Sequence, residues 1–387
     1  MEESSKTGYM STVAFLVSTH FMIHVFTDVV PAILPTLRAE LGIGLIQSSL
    51  LVSVPLLVQV FFYIPAGIIS DRRYVATLVA GFVVTAIAAF IIPFSTTFVL
   101  IIIGFSLLHL GSTLYHPPSL KAASDVPVSR LNRVMALHLA GGSLGLATGP
   151  IVLGALMPTF GWRFVFYLWI APVLIVSLFP ILYSRGRRAR IKKADQGIYG
   201  SFRSLLSGPF LIIIVMGVLA EATFVNLGTF TTTFFTGAIG MSPSMASMIF
   251  GIGPMVGIMG ALGGSSLSDR LGTRRAMFAI LLTISGSLAA LSMAQNSVSA
   301  ALLYIFYRAW VSAVLALMNV LITTNSPSSS RSLAFSLYFL IVNLAGALAP
   351  SATSVLVETT SIIAIFPVSI IMIAAAMSLL FILKGQA

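Results

Sequence analysis

Long apolar runs separated by short polar interruptions repeat along the whole chain. They fall at 10–37, 45–69, 75–95, 97–116, 132–156 and 162–183, and again at 206–237, 244–267, 275–295, 298–321, 332–356 and 360–383. Each run has about the 20 residues a helix needs to cross the hydrocarbon core of a bilayer. Lipid offers the backbone no hydrogen-bond partner, so a run of this kind must satisfy its own amides as a helix. The pattern predicts an all-α membrane protein of twelve transmembrane helices, with the joint between 75–95 and 97–116 the tightest. Met1–Lys6 is short and polar, and the run that follows is longer than the core of a signal peptide, so the first helix is expected to remain as an uncleaved anchor.

Composition excludes the soluble classes. Hydrophobic residues make up 58% of the 387 and charged residues 8%, with a mean hydropathy of +1.05. A water-facing surface needs about 25% charged residues. The net charge of +11 raises the question of a nucleic-acid partner. Its distribution answers it: with both termini placed in the cytoplasm, all of the 21 Lys and Arg residues except Arg38, Arg163 and Arg308 fall on the cytoplasmic side. That is the positive-inside bias of membrane topology, and no nucleic-acid partner is expected. The cluster Arg185, Arg187, Arg188, Arg190, Lys192 and Lys193 is also suited to anionic lipid. The chain has no cysteine, which excludes disulfides and thiolate metal sites. No Gly-Lys-Ser/Thr phosphate loop is present, so ATP-driven pumping is unsupported. The expected location is the cytoplasmic (inner) membrane of a prokaryote.

The one long polar stretch, 184–203, divides the chain into bundles 1–183 and 204–387 of six helices each, joined by a basic cytoplasmic linker. Sliding one half on the other brings Gly67–Ala76 onto Ser265–Arg274, and Leu41–Ser49 onto Ile239–Ser247. Two halves repeating in the same membrane sense are expected to be related by a pseudo-two-fold axis.

The loop after the second helix resembles the G-x-x-x-D-R-x-G-R-R pattern of the major facilitator superfamily. Gly67, Asp71 and Arg72 match, with Tyr74 at the later glycine; the second copy keeps Asp269, Arg270, Gly272, Arg274 and Arg275, with Ser265 at the first glycine. The fifth helix carries Gly145-x-x-x-Gly149-Pro150 followed by Gly154, similar to the antiporter pattern of that superfamily, and Gly161-Trp162-Arg163-Phe164 resembles its junction before the sixth helix. A narrower likeness joins His24-x-x-x-Asp28 and Gly111–Pro117 to the fosmidomycin-resistance group of proton-coupled exporters, although Pro118 stands where that likeness calls for an acid, and Leu107 lies near the place of the superfamily's common fourth-helix arginine. The resemblance implies the major facilitator fold. It also implies that Gly67, Asp71, Arg72, Asp269, Arg270, Gly272 and Arg274 form a cytoplasmic gate. Independently, a carboxylate at a helix end can cap a neighbouring helix or pair with the arginine beside it. Small residues at every fourth position, as at Gly141, Gly145 and Gly149, let helices approach closely.

Ionisable side chains inside spans are costly and usually mark a pathway. The charges deep in the apolar runs are Asp28, Glu221 and Arg308, and the histidines are His20, His24, His109, His116 and His138. In the resembled fold the first, fourth, seventh and tenth helices line the central cavity, and of this set only His138 falls elsewhere. His20, His24 and Asp28 follow at i, i+4 and i+8, which makes one stripe on a continuous helix. A cationic imidazole favours a nearby carboxylate and desolvation opposes it, so Asp28 tuned by His24 is expected to carry a proton, with Glu221 as a second coupling group. Arg308, Tyr304, Tyr307, His20, His109, His116, Asn226 and Asn343 are expected to bind the solute, and His138 to be structural.

The expected function is export of a small organic solute or drug by proton antiport and alternating access, driven by the proton gradient without a cofactor, in a chain that works as a monomer. Proton-coupled uptake of a small organic anion is the alternative, because Arg308 offers a midplane cation. Imidazoles beside a carboxylate also suit divalent metals, which leaves metal transport as a third reading, although no metal site is expected. Nothing in the sequence points to an enzyme.

Overall fold

The computed structural model describes residues 2–124, 128–184, 208–326 and 331–383 of the 387. The basic linker 185–203 lies outside the described residues, as do the side chains of Asp71 and Arg72. Among the described residues there is no strand, and 12 helices are long and apolar enough to cross a membrane. These spans are, in order, Met10–Leu41, Leu45–Ser70, Arg73–Phe94, Phe98–Leu120, Arg133–Phe160, Trp162–Ser184, Gly208–Gly237, Pro243–Leu271, Thr273–Ser292, Ser297–Thr324, Ala334–Thr359 and Ile362–Ile382.

The first span is broken. Helix runs from Glu2 to His24, a turn occupies residues 25–28, and helix resumes at Val29–Leu41. Pro31 accounts for the break: it has no N–H to offer the carbonyl of Thr27, and its ring clashes with that carbonyl. The turn is closed by Thr27 N–H donating to His24 O at 3.1 Å and Ala32 N–H donating to Asp28 O at 3.3 Å. The second and third spans run on as one helical stretch, Leu45–Ile91, interrupted only at Arg73 (φ −134°, ψ 50°).

The exterior is apolar, unlike that of a water-soluble protein. Large apolar side chains such as Phe61, Met259, Leu262 and Ile371 are exposed, while Thr19, His20, Thr113, His138, Asn226 and Thr232 are buried. A lipid-facing exterior has this character, because polar groups are driven inward to find partners.

The chain divides into two units, each completed by a segment from the opposite half of the sequence. Unit 1 comprises 1–43, 54–192 and 243–251, and unit 2 comprises 44–53, 193–242 and 252–387. In unit 1 the glycines of the fifth span lie against the backbone of the first. Gly141 faces Val17 O, Gly145 faces Phe21 O and Gly149 faces Val25 O, each too close to admit a methyl group. The segment 243–251 joins them through Ser247 Oγ, which donates to Pro150 O at 2.8 Å. In unit 2 the eighth span packs on the tenth in the same way, with Gly253 against Arg308 and Tyr304, Gly257 against Ser312, Gly260 against Ala309 and Gly264 against Ala313. The start of the second span is held in unit 2 by Glu358, whose Oε2 accepts from Leu45 N–H at 2.5 Å and Ile46 N–H at 3.3 Å. A carboxylate suits a helix N-terminus, where unpaired amides carry partial positive charge.

Candidate functional site

The close approach of the first and fifth spans brings histidines from three elements of unit 1 together. His20 and His24 are one helical turn apart on the first span, His116 comes from the fourth and His138 from the fifth. The His20 ring stacks on His138 with centroids 3.9 Å apart, and lies 4.7 Å from His24 and 5.5 Å from His116. Gly142 makes room for it, since a Cβ there would stand 2.5 Å from His20 Cε1.

The hydrogen bonds orient these rings. His20 Nδ1 donates to His138 O at 2.6 Å, and His116 Nδ1 donates to Ser112 O at 2.7 Å. Carbonyl oxygens only accept, so the lone pair of each neutral ring is on Nε2. His24 Nε2 lies 3.2 Å from His116 Nε2, and His24 Nδ1 lies 3.3 Å from Thr27 Oγ1. Tyr115, fully buried, pairs its hydroxyl with Thr19 Oγ1 at 3.0 Å and stacks on His20. His109 stands in a separate chain: its Nδ1 meets Gln59 Oε1 at 2.9 Å, and Gln59 Nε2 donates to Tyr63 Oη at 2.7 Å.

Two readings from spacing change here. The stripe His20–His24–Asp28 assumed a continuous helix, and the turn forced by Pro31 ends that helix at His24. Both ring nitrogens of His24 are directed to His116 and Thr27. Asp28 is half-buried at the N-terminal boundary of Val29–Leu41, where its side chain makes no capping bond.

In unit 2, half-buried Glu221 of the seventh span sits in the electrostatic field of Arg308 of the tenth, and Tyr338 of the eleventh sits in the field of Glu221. Gly346 admits it: a Cβ there would lie 3.0 Å from Glu221 Cγ. Tyr304 and Tyr307 are buried with their rings 6.3 Å apart, and Tyr304 meets Phe235 edge to face at 5.4 Å. Asn226 is buried and donates from Nδ2 to Thr353 Oγ1 at 2.6 Å, whereas Asn343 turns its amide to Phe339 O, four residues back on its own helix.

Of the loop motifs, Asp269 and Arg270 are exposed, Arg274 is half-buried and Gly272 adopts φ +80° ahead of the ninth span. Gly67 lies within the helix, its carbonyl accepting from Ser70 Oγ at 2.8 Å. At the far end of unit 1, Arg163 clamps three elements. Its Nη2 lies 2.5 Å from Glu40 Oε1, its Nη1 donates to Glu40 Oε2 at 3.1 Å and its Nε donates to Pro93 O at 2.8 Å. Trp162 Nε1 donates to Glu40 Oε2 at 2.7 Å.

Sequence reasoning treated His138 as structural, passed over Gln59, and met Ser112 and Tyr115 only as members of the Gly111–Pro117 motif. A signal existed for two of them. His138 shares a helical face with Gly141, Gly142 and Gly145, and Gln59 is a polar side chain in an otherwise apolar run.

Twelve apolar spans with polar and ionisable side chains buried among them describe a polytopic membrane protein. The family model of the Major Facilitator Superfamily matches residues 16–350 and 266–386, and the chain belongs to that superfamily. Over 378 residues it is 25% identical to the multidrug efflux protein YfmO of Bacillus subtilis (strain 168), a match covering 92% of this chain and 89% of that protein. It is 26% identical to the methyl viologen resistance protein SmvA of Salmonella typhimurium (strain LT2) over 59% of this chain; the match spans about half of that relative, 46%. The fold is that of a bacterial homolog of the human lysosomal transporter Spinster, solved inward-facing and occupied. The TM-score is 0.78 at 15% identity, with 98% of each chain covered.

Proposed function

We propose that this chain exports a small organic solute by proton antiport and alternating access in the bacterial inner membrane, with both termini cytoplasmic and the monomer as the working unit. The relative named for multidrug efflux supports the direction. The observation that carries the proton is the 3.2 Å approach of His24 Nε2 to His116 Nε2. Two imidazoles hold such a contact when one nitrogen donates and the other accepts. When both are protonated, two donors and two positive charges face each other and the first and fourth spans are pushed apart. The contact therefore responds to protons where the motion must occur. Asp28, at the turn beside this pair, and Glu221, under the influence of Arg308, supply carboxylates for the same cycle. No cofactor is required, since the proton gradient is the driving force.

The test uses protein in sealed liposomes with a pH-sensitive dye inside and organic cations such as methyl viologen outside. Solute-triggered proton movement is expected in the wild type, reduced at least about tenfold in His24→Gln and Asp28→Asn, as for loss of a positioned proton-transfer group. Flux undiminished in both variants would overturn the assignment. Arg308, packed with Tyr304 against Gly253, favours uptake of an organic anion as a second reading. On that reading Arg308→Gln abolishes solute binding, and proton movement has the opposite sign.

A further inference from the structure

We propose that His20, His24 and His116 form a binding site for a divalent transition-metal ion of the zinc class. One ring nitrogen from each of the three lies within 4.8 Å of the others. Zinc holds imidazole nitrogens at about 2.0–2.1 Å in a tetrahedron, which sets neighbouring ligand atoms about 3.3 Å apart. The His24–His116 pair already stands at 3.2 Å. A ring nitrogen of His20 lies within 4.8 Å of both, so closing the set draws it at most about 1.5 Å nearer.

The outer partners make this more than a chance cluster. A metal-binding imidazole donates its other N–H to a carbonyl, carboxylate or similar acceptor, which fixes the ring and raises its basicity. His20 Nδ1 is bonded to His138 O at 2.6 Å and His116 Nδ1 to Ser112 O at 2.7 Å, so both rings point a lone pair from Nε2. His24 completes the set by changing tautomer. Its Nδ1 takes the proton and donates to Thr27 Oγ1, 3.3 Å away, which frees Nε2 as the third ligand. A hydroxyl can accept as well as donate, so Thr27 serves either tautomer and no proton is lost from neutral rings.

His20 is further held by stacking on His138, and Gly142 leaves space for the ring. Three neutral nitrogens with no thiolate select zinc, cobalt(II), nickel(II) or copper(II) over magnesium or calcium. Three protein ligands leave a fourth position for water or an anionic group of a solute. Bound there, the ion fastens the first span to the fourth. The site stands whatever solute the chain carries, because its ligands are set by geometry and not by the transport reading.

The experiment uses the full chain in detergent, freed of any histidine tag, titrated with Co²⁺ and with Zn²⁺. The wild type is expected to bind one ion, to show the visible absorption of four-coordinate Co²⁺ and to unfold at a higher temperature with Zn²⁺ present, since a ligand of the native state stabilises it. Replacing a ligand, in His24→Gln or His116→Gln, is expected to weaken binding by about 100-fold or more, the upper end of what even an outer partner costs. His109→Gln, outside the cluster, retains binding. Binding should weaken as pH falls, because protons compete for the same lone pairs. A wild type with neither the Co²⁺ spectrum nor the thermal shift overturns the site. So does stoichiometric binding that survives in both ligand variants. Circular dichroism of each variant separates loss of the site from loss of the fold.

Discussion

Gly149 of the fifth span faces the carbonyl oxygen of Val25 in the first, with no room for a methyl group between them. Val25 opens the turn that breaks the first span, so the glycine lets the fifth helix press against the break itself. Gly149→Ala must move backbone against backbone. Overpacking of this kind costs about 1–3 kcal/mol, and a rigid obstacle puts it at the upper end. A lowered melting temperature in detergent is expected. The control is Gly228→Ala, where no atom stands within 4 Å of the added Cβ, and its melting temperature should not fall.

Arg163 and Glu40 make a half-buried, two-pronged ion pair at the junction before the sixth span, with side chains 33% and 35% exposed. Solvent screens such a pair, so its own coupling is modest even in good geometry. A double-mutant cycle with Arg163→Ala and Glu40→Ala is expected to return about 1 kcal/mol. Arg163→Ala alone should cost more than that coupling, because Pro93 O also loses its donor. Equal single and coupling energies would show that the carbonyl contact contributes nothing.

The two copies of the loop motif differ at both glycine positions, and at the second the backbone explains why each tolerates its own residue. Gly272 holds φ +80° and ψ 149°, a region open to almost no side chain. At the matching position Tyr74 is helical, and the chain turns instead at Arg73 with negative φ. Gly272→Ala is therefore expected to destabilise by about 1–3 kcal/mol through backbone strain, although the space around it is open. Tyr74→Gly should bring no gain, and a helical glycine costs about 0.5–1 kcal/mol. Thermal unfolding of the two variants side by side checks the asymmetry.

The spans were legible in the sequence because lipid leaves an apolar run of that length one regular structure to adopt. Their ends were less so: the first continues through Arg38 and Glu40 to Leu41, where polar side chains at the interface still allow helix. The candidate site was half legible. Cost alone singles out His20, His24, Asp28, Glu221 and Arg308, since an ionisable group in a span needs a reason. Spacing then misled, because arithmetic at i, i+4 and i+8 supposes an unbroken helix and Pro31 denies one. The partnership of His24 with His116, 92 residues away, and the stacking of His20 on His138 arise from packing between spans, which no local pattern encodes.

Glu221 and Gly346 provide a test that separates position from charge. A Cβ at residue 346 would stand 3.0 Å from Glu221 Cγ and 3.1 Å from Val225 Cγ2, close enough that the neighbours must yield by a few tenths of an ångström. The obstacles are side-chain atoms rather than backbone, so Gly346→Ala is expected to fold, with a stability change below that of Gly149→Ala. The carboxylate, however, is displaced relative to Arg308. If Glu221 carries protons, solute-driven proton flux in liposomes should fall several-fold in Gly346→Ala and at least about tenfold in Glu221→Gln. Solute binding measured without a gradient should be less affected in the first than proton flux. Full flux in both variants would leave proton transfer to the histidine pair of unit 1, and Glu221 would then be a structural partner of Arg308.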